Sequence, residues 1–155
     1  MISKRLFIAT ILIAGITLAP RAAGACSCTG EVTFEQAFAG AKQIFLGTLV
    51  DVRTAEPEYP MMVWVRLAVI RSWKGSPGDT ASVLTGENDG VCGYHFWPEE
   101  QHLVYAQPWY PGDEVFTHSC SRSHQTWPGD PDIDALDEVT PVRASTWGAL
   151  KLLYR

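Results

Sequence analysis

Four cysteines constrain this chain most, because two of them lie close together and two stand alone. Cys26 and Cys28 flank Ser27, whereas Cys92 and Cys120 lie far along the chain. An even number of cysteines in an exported chain indicates two disulfides rather than free thiols. If the C-x-C pair is bonded to the two distant cysteines, its segment is fixed at two points. Alternate side chains of an extended segment share one face, so both cysteines would point inward and Ser27 outward.

Residues 1–25 have the three parts of a secretory signal peptide. Lys4 and Arg5 form a basic start, residues 6–19 are apolar and uncharged, and residues 23–25 read Ala-Gly-Ala, an A-x-A exit. The apolar stretch is shorter than the roughly 20 residues of a spanning helix. We therefore predict a cleaved signal peptide and a secreted protein, extracellular or periplasmic, with no membrane span in the mature chain.

Cleavage after Ala25 makes Cys26 the first residue of the mature protein. Two alternatives remain for this region. One is an uncleaved N-terminal membrane anchor. The other is a lipoprotein whose Cys26 is acylated, although Pro20 and Arg21 separate the apolar run from the cysteine.

The charge of the mature chain is acidic. Cleavage leaves 130 of the 155 residues and removes three basic and no acidic ones, so the net charge changes from −5 to −8. This length suits one domain with one core. An acidic domain repels phosphate backbones, so we expect no nucleic-acid partner.

Five short segments rich in β-branched and aromatic residues are candidate strands: 44–52, 61–73, 80–86, 101–109 and 113–119. Turn-forming residues separate them. Five such strands with a helix outside the run predict a small, mainly β barrel, of which the OB-fold is one form. We expect most of the aromatic side chains of segment 94–110 to lie in its core.

Two helices are expected around this barrel. Thr33 and Gln36 have the spacing of a capping box, which predicts a short helix ending near Gly40. Asp130 followed by Pro131 resembles a helix start, which predicts a turn or two of helix over 131–138. The predicted organisation is a barrel domain over 26–122 and a C-terminal extension over 123–155 that packs on it.

Catalytic and metal-binding motifs are missing from the sequence. The isolated Cys92 and Cys120 do not form the C-x2-4-C knuckles of cysteine zinc sites. No nucleophile motif is present, and the histidines show neither close pairing nor an HExxH pattern: His95, His102, His118 and His124. We therefore predict neither an enzyme nor a cofactor.

Several motifs, taken together and in order, resemble one known family. After the C-x-C come AFAGAKQIFLG (37–47), VIRSWKG (69–75), CGYHF (92–96), LVYA (103–106) and SCSR (119–122). This series is similar to the tissue inhibitor of metalloproteinases family, and more closely to the single-domain bacterial members of that netrin-like group. The chain lacks the third disulfide of the animal inhibitory domain and the cysteine-rich C-terminal domain.

The resemblance implies a fold, a disulfide pairing and a mechanism. The fold would be a netrin-like OB barrel with the bridges Cys26–Cys92 and Cys28–Cys120. As in the animal inhibitors, the main-chain amine and carbonyl of Cys26 would chelate the catalytic zinc of a target metalloprotease. Ser27 would enter the main specificity pocket of the protease, and Cys28 and Thr29 would extend the contact. Cys26, Ser27, Cys28 and Thr29 are thus the predicted inhibitory wedge.

A second function stays open at this point, because a fold does not determine its partner. The same disulfide-bonded barrel could serve as a secreted or envelope binding module without inhibitory activity.

Overall fold

The computed structural model describes residues 26–28, 30–110 and 112–140. The predicted signal peptide, Thr29 of the predicted wedge and the end of the chain from residue 141 lie outside the described residues.

Five strands form a closed barrel. Their order is β1-β2-β3-β5-β4, and β4 pairs with β1 to close the sheet. Neighbouring strands are antiparallel except β3 and β5, which are parallel. This order with its one parallel pair is that of an OB-fold, so the predicted mainly β barrel is confirmed. The strands are β1 (Gln43–Thr54), β2 (Met62–Lys74), β3 (Thr80–Gly86), β4 (Gln101–Pro108) and β5 (Val115–Phe116).

The first two strands are long and form a bent hairpin. β1 has 12 residues and β2 has 13, about twice a typical strand. Their ladder has three register shifts, and irregularities of this kind increase the twist and bend of a strand pair. Residues 43–48 of β1 pair with β4 as well. The connection from β1 to β2, residues 55–61, therefore lies at the far end of a long ladder.

The barrel interior is a hydrophobic core contributed by all five strands. Small and β-branched residues dominate, with two phenylalanines filling the remaining space. Its buried members are Phe45, Val65, Leu67, Ala81, Val83, Phe96, Val104, Ala106 and Val115.

The first helix, α1 (Phe34–Gly40), packs against the outside of the barrel. The predicted capping box is present: the Gln36 amide donates to the Thr33 hydroxyl at 3.3 Å, and the Thr33 amide donates to the Gln36 side chain at 3.0 Å. Ala37 is the helix residue buried against the barrel. It belongs to a second core made of Ala37, Ala41, Ile44, Leu46, Trp73, Leu103, Tyr105 and Leu136.

Residues beyond 122 also contact the barrel. A two-residue strand, β6 (His124–Gln125), pairs with β4 and was not predicted. The predicted second helix is present as α2 (Pro131–Val139), where the Asp130 side chain accepts a hydrogen bond from the Asp132 amide at 3.0 Å. Leu136 of α2 is fully buried in the second core. The rest of the predicted extension, residues 141–155, lies outside the described residues.

Two predictions need correction. The strand expected over 113–119 is only two residues long, because the chain turns soon after Thr117, and the Ser121 amide bonds the His118 carbonyl at 3.0 Å. The aromatic side chains of segment 94–110 are also less buried than expected. Trp97 is 56% exposed and Tyr110 is 81% exposed, whereas Phe96 and Tyr105 are buried.

Candidate functional site

The N-terminal segment is bonded to the barrel through both of its cysteines. Cys26 is bonded to Cys92 with 5.5 Å between Cα atoms, and Cys28 to Cys120 with 5.6 Å. Both pairings implied by the resemblance are present. Ser27 lies between the two bridges and is exposed. Three of the four predicted wedge residues are thus held together, whereas Thr29 lies outside the described residues.

Cys92 is positioned by a tight turn after β3. Residues Asp89–Val91 form a single 3-10 turn, in which the Asn88 side chain accepts a hydrogen bond from the Gly90 amide at 2.8 Å. Cys92 follows in the left-handed region at φ 58°, a strained conformation for a side chain other than glycine. The Sγ atom of Cys26 lies 3.1 Å from the carbonyl oxygen of Asp89. The first bridge therefore lies directly against this turn.

Two glycines allow this turn to fold back on the end of β3. A Cβ atom on Gly93 would lie 2.1 Å from the carbonyl oxygen of Gly86, and a Cβ atom on Gly86 would lie 2.5 Å from the carbonyl oxygen of Val91. Real side chains do not tolerate such distances, so both positions require glycine. Because Gly93 follows Cys92 directly, the close contact between Gly86 and Gly93 fixes the position of Cys92, to which the first bridge is attached.

Cys120 is positioned by a buried cluster of hydroxyl groups. Thr117, Ser121 and Ser123 are buried, and the Thr117 Oγ1 atom lies 2.6 Å from the Ser121 Oγ atom and 2.7 Å from the Ser123 Oγ atom. The Ser121 hydroxyl also donates to the His118 carbonyl at 2.7 Å. The Cys120 amide donates to the His118 ring at 3.2 Å. These bonds fix the backbone on both sides of the second bridge.

Arg122 links the N-terminal segment to helix α2. Its guanidinium donates to the Val32 carbonyl at 2.8 Å and makes two bonds of 2.6 Å to the carboxylate of Asp132. Tyr105 donates a third hydrogen bond to that carboxylate at 2.9 Å. Arg122 is also in the left-handed region, at φ 65°. It thus fixes the position of Val32, four residues after the C-x-C pair.

The electrostatics of this cluster follow from its burial and hydrogen bonds. Burial by itself raises the pKa of Asp132, but the hydrogen bonds from Arg122 and Tyr105 outweigh it and hold the pKa below its ordinary value. The hydrogen bond to Asp132 raises the pKa of the Arg122 guanidinium. Burial raises the pKa of the Tyr105 hydroxyl. The cluster therefore holds a charged pair at neutral pH, with a tyrosine that stays protonated.

A small cavity lies beside the second bridge, between the N-terminal segment and the barrel. It has a volume of about 250 Å³ and lies between Cys28, Glu31 and Val32 on one side and Ser119, Cys120 and Arg122 on the other. The described residues of the segment are held at the two bridges, at Arg122 and where Val32 packs against the second core.

The histidines are dispersed over the fold. His102 is fully buried, with its Nδ1 atom 2.9 Å from the Tyr94 hydroxyl, and burial lowers its pKa. His124 bonds the carboxylate of Asp130 at 2.8 Å. Among the described residues, no three histidine, cysteine, aspartate or glutamate side chains are grouped so that they could hold a metal ion. No helix in that part of the chain is long and apolar enough to cross a membrane.

Sequence reasoning did not assign a role to several residues around this site. Arg122 and His118 were visible in the sequence, but their contacts are tertiary. Gly86 was assigned to the candidate strand 80–86 and Gly93 to the CGYHF motif, and nothing local indicates that the two glycines approach each other. The comparison with protein families finds no family model that matches this chain, and the comparison with curated proteins finds no match.

Proposed function

We propose that this protein is a secreted inhibitor of zinc metalloproteases whose mature N-terminus at Cys26 binds the catalytic zinc of the target. One observation carries the proposal: disulfides on both sides of the exposed Ser27 hold Cys26 and Cys28 in fixed positions. A flexible N-terminus would lose its conformational freedom on binding, whereas one fixed in advance loses little.

The chemistry requires only main-chain atoms of this chain. A catalytic zinc has three protein ligands and keeps one position open for water or substrate. The α-amine nitrogen and the carbonyl oxygen of Cys26 can form a five-membered chelate there and displace the water. A free α-amine has a pKa of about 7.7–8.0, so a useful neutral fraction exists near pH 7. The zinc ion belongs to the protease, and this chain needs no metal of its own.

The residues after Cys26 would provide the rest of the contact. Ser27 is exposed and would enter the main specificity pocket of the protease. Cys28 is also exposed and, with Thr29, would continue the contact as an extended edge. The Arg122 guanidinium also binds the Val32 carbonyl, so the N-terminal segment has a third fixed point in addition to its two disulfides.

Secretion is part of the same proposal. The two disulfides fit an oxidising compartment, since cytosolic thiols are kept reduced. Export to the extracellular space or periplasm would allow these bridges to form, and cleavage after Ala25 would free the Cys26 amine.

The experiment that tests the proposal begins with the exported protein. N-terminal sequencing and intact mass should give a chain that starts at Cys26 and is lighter by four hydrogens than its reduced form. The same sample should then inhibit members of a panel of zinc proteases. A start elsewhere or an acylated Cys26 would exclude zinc chelation. A correct N-terminus without inhibition of any member would favour the non-inhibitory binding module.

A further inference from the structure

An apolar pocket lies directly beside the first disulfide. It has a volume of about 320 Å³, and its walls include Met61, Val91, Cys92, Trp109, Phe116 and His118. Cys92 is shared by the pocket and by the bridge to Cys26. The pocket and the N-terminal segment therefore belong to one continuous surface of the barrel.

The aromatic wall of this pocket is ordered by ring packing. The rings of Trp109 and Phe116 meet edge to face with 5.0 Å between centroids, and Phe116 stacks on His118 at 5.4 Å. The Tyr59 ring meets Trp109 edge to face with 6.0 Å between centroids. The Trp109 amide also bonds the Glu114 carbonyl at 2.9 Å. Because these rings hold one another in place, the pocket exists before any partner arrives.

Met61 forms the opposite lip of the pocket. It is 55% exposed and its backbone is in the left-handed region at φ 63°. Its carbonyl accepts a hydrogen bond from the Glu87 amide at 3.0 Å, which ties the β1–β2 connection to the turn that carries Cys92. A methionine side chain is flexible and polarisable, so it can adapt to apolar groups of different shapes.

Three acidic residues, which we call the acidic rim, are close in the chain to residues that line the pocket. Glu87 and Asp89 belong to the turn beside Cys92, and Glu58 precedes Tyr59; all three are exposed. In the described part of the chain, none of the three forms an ion pair. Among the described residues, no lysine, arginine, aspartate or glutamate lines the pocket itself. An apolar centre with an acidic rim is complementary to an apolar side chain that has basic neighbours.

We propose that this pocket is a second contact site, which takes an apolar side chain flanked by lysine or arginine on the protein that the Cys26 end binds. The identity of that protein rests on the proposed function. The contact itself depends only on the pocket and its acidic rim. A buried apolar anchor beside the zinc contact would add affinity and select among proteases that share the same zinc site.

The pocket can be tested with small probes, without any protease. The mature protein, labelled with ¹⁵N, is titrated with acetyl-Arg-Leu-Arg-amide and its amide spectrum is recorded. We expect shifts at Met61, Gly86 and Val91 and at the Trp109 indole. Acetyl-Glu-Leu-Glu-amide and acetyl-Arg-Ser-Arg-amide should leave these signals unchanged, because one lacks the charge and the other the apolar side chain. Absence of shifts with the first peptide, or equal shifts with all three, overturns the proposal.

Two variants connect the pocket to inhibition. Met61→Asn removes the apolar lip and keeps a residue that tolerates the left-handed backbone. Ile70→Thr is the matched control, since Ile70 is 52% exposed on β2 and does not line the pocket. Against a protease that the wild-type protein inhibits, Met61→Asn should weaken inhibition about tenfold, and Ile70→Thr should not. Equal inhibition by the wild-type and Met61→Asn proteins overturns the pocket proposal and leaves the zinc proposal intact. Peptide binding without inhibition of any protease supports the pocket proposal and overturns the zinc proposal.

The peptide titration and a sedimentation measurement test two other candidate occupants of the pocket, the C-terminal residues of this chain and a second copy of it. The sequence after residue 142 contains Trp147, Leu150 and Lys151 and no acidic residue. Tighter peptide binding after replacement of Trp147 and Leu150 by serine would identify the chain's own C-terminal residues as the occupant. A dimer in sedimentation that Met61→Asn dissociates would identify a second copy. Either result overturns the proposal of a partner protein.

Discussion

The Ser119 amide donates a hydrogen bond to the Cys92 carbonyl, with 3.0 Å between nitrogen and oxygen. Ser119 directly precedes Cys120, so the two cysteines that hold the N-terminal segment are joined to each other by the backbone of the barrel. The spacing of Cys26 and Cys28 is therefore matched by a fixed spacing of their partners. This match explains how a segment with few contacts of its own can be held in one position.

Ser27 should control selectivity rather than stability. Because it is exposed between the two bridges, Ser27→Gly removes no buried contact. We expect an unchanged thermal midpoint and a changed ranking of inhibition constants across a panel of zinc proteases. Ser76→Gly, at an exposed position in the turn after β2, is the control. An identical ranking for the wild-type and Ser27→Gly proteins would show that Ser27 enters no pocket.

Arg122 should contribute strongly to stability. Arg122→Lys keeps the charge but cannot make the paired bonds to Asp132 and the bond to Val32 at the same time. We expect a loss of about 1–3 kcal/mol in the free energy of unfolding, measured with urea. Arg53→Lys is the control, since Arg53 is an exposed residue whose contact with Asp51 is worth about 0–1 kcal/mol. Equal effects of the two substitutions would contradict the role assigned to Arg122.

Gly93 should not tolerate a side chain. A Cβ atom there would lie 2.1 Å from the Gly86 carbonyl oxygen, so Gly93→Ala must push β3 and the Cys92 turn apart. We expect a loss of about 1–3 kcal/mol in the free energy of unfolding. Gly40→Ala, at the end of α1, is the control because a Cβ there has no neighbour within 4 Å. A Gly93→Ala protein as stable as the control would mean that the two segments are not in close contact.

Asp132 should make the protein more stable above pH 4 than below it. The pKa of Asp132 is lower in the folded protein than in the unfolded chain, where it is about 3.9. At a pH between these two pKa values, the unfolded state therefore binds more protons than the folded state. The contribution of Asp132 is therefore complete above the unfolded pKa and is lost as the pH falls through the folded pKa. Thermal unfolding of the wild-type and Asp132→Asn proteins from pH 6 to pH 2 should show their difference shrinking below about pH 4. A constant difference would show that the Asp132 carboxylate keeps the same pKa on unfolding.

Local patterns in the sequence predicted much of the fold. The segments rich in β-branched residues predicted β1 to β4. The spacing of Thr33 and Gln36 predicted the start of α1, and Asp130 followed by Pro131 predicted the start of α2. These signals are local, because each depends on residues a few positions apart. β6 was missed because two residues are too short to produce a strand pattern.

The site was predicted less completely, because its geometry depends on tertiary contacts. The family resemblance predicted the pairing of the four cysteines, whereas their spacing in the sequence did not determine which cysteines pair. Arg122 and Asp132 are ten residues apart, and they meet where α2 packs on β4. The left-handed backbone of Cys92, Met61 and Arg122 has no signal in the sequence, since none of them is glycine or asparagine. The apolar pocket beside Cys92 combines three loops and was not predicted.

The most direct test of the central claim adds a single alanine before Cys26 of the mature protein. Both disulfides and the thermal midpoint should be unchanged, because the added residue lies outside the bridges. Inhibition of a zinc protease that the protein starting at Cys26 inhibits should be abolished, since the α-amine no longer adjoins the Cys26 carbonyl. Equal inhibition by the extended and unextended proteins would contradict zinc chelation by Cys26.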